Sequence, residues 1–184
     1  MTILVDMDDT IEQLLRAWIH AVNETYGTDV RHEDIRSWNF TDAFPSLTEE
    51  QIYDVVLNDD FWKTVEPIPD ADRVLQQWID AGHEVYIVTA TPLQGLVGKM
   101  EHCLFRYFPF IDWNHVIITA RKQLLKADVL IDDGVHNHEG GDYKKVLVTA
   151  GHNRAYDAEA NGMIRADNWQ EIERIVAELE KECS

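Results

Sequence analysis

Ile3-Leu4-Val5 is an apolar run that stops abruptly at Asp6, a pattern that predicts a buried strand. Apolar residues then recur at helical spacing: Ile11, Leu14, Leu15, Trp18, Ile19 and Val22. Thr10 and Gln13 suit a capping box ahead of this helix, and Gly27 suits a terminator behind it. The stretch 29–69 has a different texture, polar, acidic and aromatic, with a short helix predicted near 49–57 and no buried strand. Beyond it a helix carries Val74, Leu75, Trp78 and Ile79 on one face and closes at Gly82, and a strand follows over 84–88. The pattern then predicts a helix over 93–107, strands at 115–118, 129–131 and 146–148, and a last helix with Trp169, Ile172, Ile175, Val176 and Leu179 on one face. Short apolar strands alternating with helices predict an α/β fold whose parallel sheet is covered on both faces.

Composition narrows the possibilities. The 184 residues, 45% of them hydrophobic, suffice for one good core and a small insertion. No stretch approaches the roughly 18 apolar residues of a membrane span, and the first residues lack the basic-then-apolar order of a secretion signal. Cys103 and Cys183 are too few and too far apart for a disulfide framework or a thiolate metal site, so reduced thiols in a cytoplasmic protein are expected. A net charge of −18 repels nucleic-acid polymers and anionic membranes, which excludes them as partners. A small phosphorylated substrate remains compatible, because one divalent ion and one lysine can reverse the potential locally.

The chemistry gathers where strands end. Asp6 closes the first, Thr89 the second, and Asp132-Asp133 the fourth, and open α/β sheets bind ligands beyond the carboxyl ends of their strands. In Asp6-Met7-Asp8-Asp9-Thr10 two carboxylates two residues apart can point toward one site, although acids there can also serve only to cap a helix. Asp132 and Asp133, adjacent and behind a buried strand, would repel one another without a cation, and hard oxygen ligands favour Mg2+. The Thr89 hydroxyl and neighbouring backbone N–H groups, including that of Ala90, can bind a phosphoryl oxygen. Lys122 can supply a cation, with Arg121 and Lys126 as competitors. His136-x-His138 raises the alternative of a histidine-ligated zinc hydrolase, for which a polar loop before Gly140-Gly141 is the simpler account.

In chain order, Asp-x-Asp-x-Thr, a strand-ending Thr, a Lys and a strand ending in Asp-Asp resemble the four motifs of the haloacid dehalogenase superfamily. The resemblance implies a Rossmann-like core, residues 1–28 and 68–184, with a small helical cap, 29–67, inserted after the first strand and helix. It makes Asp6 the nucleophile and Asp8 the general acid and base, with Thr89 and Lys122 on the phosphoryl group. Asp6, the Asp8 carbonyl and Asp133 would ligate Mg2+, with Asp132 in support. Members that cleave carbon–halogen bonds lack the second aspartate, so Asp8 points to phosphoryl transfer. Asp9 departs from the glycine common in the family, and aspartate tolerates turn geometry.

The short cap, Val65-Glu66-Pro67-Ile68-Pro69, the Lys122-to-Asp133 spacing and Val148-Thr149-Ala150-Gly151-His152-Asn153 are similar to the 5′(3′)-deoxyribonucleotidases. That implies a nucleoside monophosphate substrate, deoxy over ribo, and leaves a homodimer open. Among the aromatic residues of the cap, Trp38 and Phe40 are expected to contact the base, a small cap core being the alternative use. A sugar-phosphate phosphatase and a non-catalytic phosphate-binding module are the competing readings.

Overall fold

A computed structural model of the chain describes residues 1–183. Cys103 is a buried free thiol, and the Cys183 side chain lies outside what is described. Six strands form one parallel sheet: β1 (Thr2–Asp6), β2 (Glu84–Thr89), β3 (Val116–Ile118), β4 (Val129–Asp132), β5 (Lys144–Val148) and β6 (Ile164–Ala166), in the order β3-β2-β1-β4-β5-β6. Among the described residues seven α-helices accompany them: α1 (Leu14–Tyr26), α2 (Glu49–Asp54), α3 (Asp59–Trp62), α4 (Ala71–Asp80), α5 (Leu93–Gly98), α6 (Phe105–Tyr107) and α7 (Trp169–Cys183).

The continuous apolar strands are sorted by the pleat. Ile3 and Val5, Val85 and Ile87, Val129 and Ile131, and Val146 and Val148 share one face, whereas Leu4, Val88, Leu130 and Leu147 lie on the other. The register sets Ile3 beside Val85 and Val129, so same-face residues adjoin across strands. Onto the first face α4 lays Val74, Leu75 and Trp78, and α7 lays Trp169, Ile172, Ile175, Val176 and Leu179. Leu125, Ala127, Tyr143, Ala158 and Met163, from short turns and loops, cover the second. The sheet is thus covered on both faces as its apolar runs require, with the α-helical cover concentrated on one.

Three local expectations need correction. The Thr10–Gln13 capping box does not form: the N–H groups of Thr10, Ile11 and Glu12 all donate to the Met7 carbonyl, and this tight turn buries Thr10. Gln13 stands at the N-cap without a side-chain cap bond, and the Asp9 carboxylate, from the turn before it, accepts from the Leu15 N–H at 3.0 Å. Asp9 has φ 53°, the left-handed conformation that aspartate adopts more readily than most residues. The helix expected over 93–107 is interrupted by a π-helical segment, Lys99–Leu104, between α5 and α6. β6 was not foreseen, because Ile164-Arg165-Ala166 is too short and mixed to show a period.

Between α1 and α4 the chain has no strand, as expected. Its first half packs Ile35, Phe40, Phe44 and Ile52 against Ile19 and Val22 of α1 as a separate small core. Its second half sends Val56, Phe61, Trp62 and Val65 into the main core. Thr48 and Gln51 form the reciprocal capping box that opens α2.

Candidate active site

Parallel strands in register end at the same edge of the sheet. Asp6 pairs with Val88, one residue before Thr89, and Val5 pairs with Ile131, one residue before Asp132. Four motifs that are distant in sequence therefore meet at one place. The meeting point is the floor of a cavity of about 360 Å³, lined there by Asp6, Asp8, Lys99, Lys122 and Asp133. A shallower groove of about 440 Å³ along the Arg16–His20 side of α1 holds none of the motif residues.

Lys122, 2% exposed at its side chain, donates to Asp6 and, at 2.6 Å, to Asp132. Burial works against its cation, but the Asp6 and Asp132 charges outweigh it and raise its pKa. Neither Arg121 nor Lys126 makes these contacts, so the competition among the three cations is decided by reach. Asp132 is fully buried and also accepts from the Gly134 N–H and the Asn137 amide, at 2.7 and 2.9 Å. It anchors the loop, while Asp133 reaches the cavity. Asn153 donates to the Asp133 carbonyl at 2.8 Å, and a His152 ring nitrogen lies 3.1 Å from the same oxygen.

Thr89 is fully buried, and its hydroxyl accepts from Lys99 at 2.7 Å. Ala90 and Thr91, the next two residues, are the ones that line the cavity. Trp38 is 59% exposed, lines the cavity and makes T-shaped pairs with His136 and His152, at centroid distances of 4.4 and 5.0 Å. Phe40 also lines the cavity, but it is buried against Trp18 at 4.5 Å and belongs to the small core. Phe40, expected with Trp38 to contact the base, opens a 3-10 turn that ends at Ala43.

The sequence did not single out Lys99 or Glu12. Lys99 contacts the Asp8 carboxylate oxygens at 2.6 and 2.7 Å from the π-helical segment. As an isolated lysine within a predicted helix it reads as a solvated residue. Glu12 is wholly buried, and burial, followed by the neighbouring Asp8 charge, raises its pKa well above the usual carboxylate range. An acid just before a helix reads as a partner for the helix dipole, so nothing in the pattern signals a buried one.

Asp6, Asp132 and Asp133 bring carboxylate oxygens within 4.8 Å of one another, and among the described residues no other group of acidic, histidine or cysteine side chains is so arranged. Burial, with the Asp132 and Asp8 charges, pushes the Asp6 carboxyl up to about 7 against the opposing pull of Lys122. Burial and then the Asp6 and Asp132 charges raise Asp133 well above its ordinary value. Lys122 alone cannot balance three buried carboxylates, and an all-oxygen donor set suits a hard divalent cation. The residues fit a metal site. The zinc alternative fails on geometry, since His138 is fully buried with a ring nitrogen 3.2 Å from the Asp132 carbonyl and His136 packs against Trp38.

A parallel sheet with this acid-rich edge, a lysine across the first and fourth strands and a small inserted cap defines a phosphoric monoester hydrolase with the haloacid dehalogenase fold. Solved structures agree on the fold. A haloacid dehalogenase family hydrolase from Deinococcus radiodurans R1, with bound phosphate and sodium, superimposes with a TM-score of 0.64 at 16% identity over 97% of this chain and 96% of its own. A haloacid dehalogenase-like hydrolase from Streptococcus pneumoniae gives 0.65 at 14% identity over 93% and 95%.

Residues 1–181 match the family model described as 5′ nucleotidase, deoxy (Pyrimidine), cytosolic type C protein. The chain belongs to this family. Among its relatives, the 5′(3′)-deoxyribonucleotidase of Bacillus subtilis (strain 168) is 34% identical over 174 residues, 94% of this chain and 96% of the relative. The 5′(3′)-deoxyribonucleotidase of Clostridium acetobutylicum is 29% identical over 178 residues, 97% and 96% of the two chains.

Proposed function

We propose that this chain is a magnesium-dependent, cytoplasmic 5′(3′)-deoxyribonucleotidase that removes phosphate from deoxyribonucleoside monophosphates through an aspartyl-phosphate on Asp6. The observation that carries the reading is the convergence of Asp6, Asp8, Lys122 and Asp133 on one cavity floor, in a chain whose relatives bear that name. An Asp6 oxygen attacks phosphorus as the bond to the departing alcohol breaks, and Asp8 gives its proton to the leaving oxygen. Asp8 then takes a proton from the water that attacks the aspartyl-phosphate, which releases inorganic phosphate and restores Asp6. Lys122 lies against the attacking carboxylate, where its cation offsets charge on the phosphoryl oxygens.

Asp6, the Asp8 carbonyl and Asp133 would hold Mg2+, which when bound supplies further neutralisation of phosphoryl charge. Residues 29–67 act as the cap that meets the leaving group. Trp38 presents an exposed aromatic surface at the cavity, and Ile35, Phe40, Val56 and Leu57, which line it beside Ser37 and Tyr53, offer no side-chain hydrogen bond to a 2′-hydroxyl set against them. A deoxy preference follows, bounded at about 10²-fold because apolar pockets reject an added hydroxyl only weakly.

The test is kcat/KM over deoxy- and ribonucleoside monophosphates and a sugar-phosphate panel, with Mg2+ and with chelator, for the parent and Asp6→Asn. Activity on deoxynucleotides that needs the metal and disappears in a folded Asp6→Asn protein is expected. Retained turnover in that variant would overturn the covalent mechanism, and better use of sugar phosphates would overturn the substrate.

A further inference from the structure

We infer that Lys99 is a positioning residue for Asp8, holding that carboxyl toward the leaving oxygen; this rests on the phosphomonoesterase reading above. The two buried lysines among the described residues reach the site from opposite faces of the sheet. Lys122 comes from the thinly covered face, next to Leu125, which packs on Leu4 and Leu130. Lys99 comes from the helical face, where Met100, Cys103 and Leu104 of the same π-helical segment enter the main core. Each lysine serves a different aspartate: Lys122 contacts Asp6, and Lys99 contacts Asp8.

What distinguishes the two lysines is the carboxylate each one holds: Lys99 is committed to Asp8, and Lys122 to the attacking Asp6. The Lys99 side chain is 1% exposed, and its ammonium is taken up by the Asp8 carboxylate at 2.6 to 2.7 Å and the Thr89 hydroxyl at 2.7 Å. A lysine ammonium has three donors, so these contacts commit most of its capacity to the protein. The Asp8 side chain is by contrast 27% exposed, free to meet a substrate at its open side. Lys99 is itself fixed from behind. Gly98 allows the Trp62 indole to lie where a Cβ would come within 2.7 Å of it, and the Lys99 ammonium stands 5.8 Å from the centre of a Trp62 ring. π-helical turns recur at functional sites because they aim one side chain differently from a regular helix.

The consequence falls on one step. When an Asp6 oxygen bonds to phosphorus and the ester P–O bond breaks, the Asp8 proton passes to the departing oxygen. A nucleoside alkoxide needs that proton, whereas p-nitrophenolate leaves without it. An acid misplaced by about 1 Å costs roughly 10²-fold.

Lys99→Met keeps the apolar stem and removes the cation. In rapid-quench single turnovers it should slow phosphorylation by a deoxynucleotide by roughly 10- to 100-fold and leave phosphorylation by p-nitrophenyl phosphate within a few-fold of the parent. Combined with Asp8→Asn it should cost nothing further, since its effect passes through Asp8. Equal slowing for both esters, or losses that multiply in the double variant, would overturn the inference in favour of a structural or a phosphate-binding lysine. Lys99→Gln, which keeps donors for Asp8 and Thr89, serves the same comparison where Lys99→Met does not fold, and should show a smaller ester discrimination. A parent protein that turns over neither ester refutes the phosphomonoesterase reading; a parent active on both, with the ratio unchanged in the variants, refutes the role of Lys99 alone.

Discussion

Trp38 and Phe40 are close in sequence and opposite in environment, 59% and 8% exposed. Trp38 meets His136 and His152 in T-shaped pairs and is otherwise largely exposed, so Trp38→Ala should leave the thermal midpoint nearly unchanged. If the indole meets the base, the same variant should lower kcat/KM for nucleotides by about 1 to 3 kcal/mol, or roughly 5- to 150-fold, with p-nitrophenyl phosphate little affected. Phe40→Ala empties part of the small core around Phe44 and Ile52 and should cost about 3 kcal/mol or more in urea unfolding. Equal loss of stability in the two variants would refute the division between a substrate surface and a core residue. Both aromatics were visible in the sequence as cap residues. Their difference was not, because exposure depends on which way a turn faces.

At the level of elements, the cap is docked to the core through backbone as well as side chains. A Cβ on Gly151 would lie 2.5 Å from the Ile35 carbonyl oxygen, too close for any side chain without movement of the cap. Gly151→Ala should therefore destabilise the protein by about 1 to 3 kcal/mol. It should also lower nucleotide kcat/KM, since Ile35 and Trp38 move together away from His152. A variant of parental stability and activity would mean that the contact yields freely. Most elements were legible because burial imposes a period: β1, β2, β4 and β5 are apolar runs, and α4 and α7 carry one-sided stripes. The turn at Met7–Glu12 and the π-helical segment were not, since each is a local departure from a period. A single carbonyl accepting three N–H groups leaves no compositional mark.

For the whole molecule, the burial of carboxylates links stability to pH and to metal. The Asp6 carboxyl has a folded pKa of about 7 against an ordinary 3.8. Its contribution to stability is therefore fully present below 3.8 and is lost as pH rises through about 7. A bound cation reverses this penalty, but must displace protons at low pH. Saturating Mg2+ should raise the thermal midpoint by several degrees at about pH 8 and much less at about pH 5. A shift of equal size at both values would refute a site built on these raised carboxyls. The net charge of −18 adds a general repulsion that a divalent ion partly relieves.

The sequence by itself determined the α/β class, the positions of the strand-ending acids and the order of the motifs. These depend on short-range rules, in which a buried strand must be apolar along its length and its polar residues must wait for the end. Asp6, Asp132 and Asp133 stand out by this rule and Asp8 by its spacing from Asp6, whereas Lys122 is set apart from Arg121 and Lys126 only by the order of the four motifs. Tertiary structure alone decided the rest: that Thr89 lies beneath the cavity floor, that Asp132 anchors while Asp133 faces the cavity, that Phe40 is core, and that Lys99 and Glu12 are buried beside Asp8. A charged residue carries the same letter whether water or a carboxylate surrounds it. Which of the two surrounds it is set by elements brought together from more than ninety residues away, as in the contact of Lys99 with Asp8, 91 positions apart.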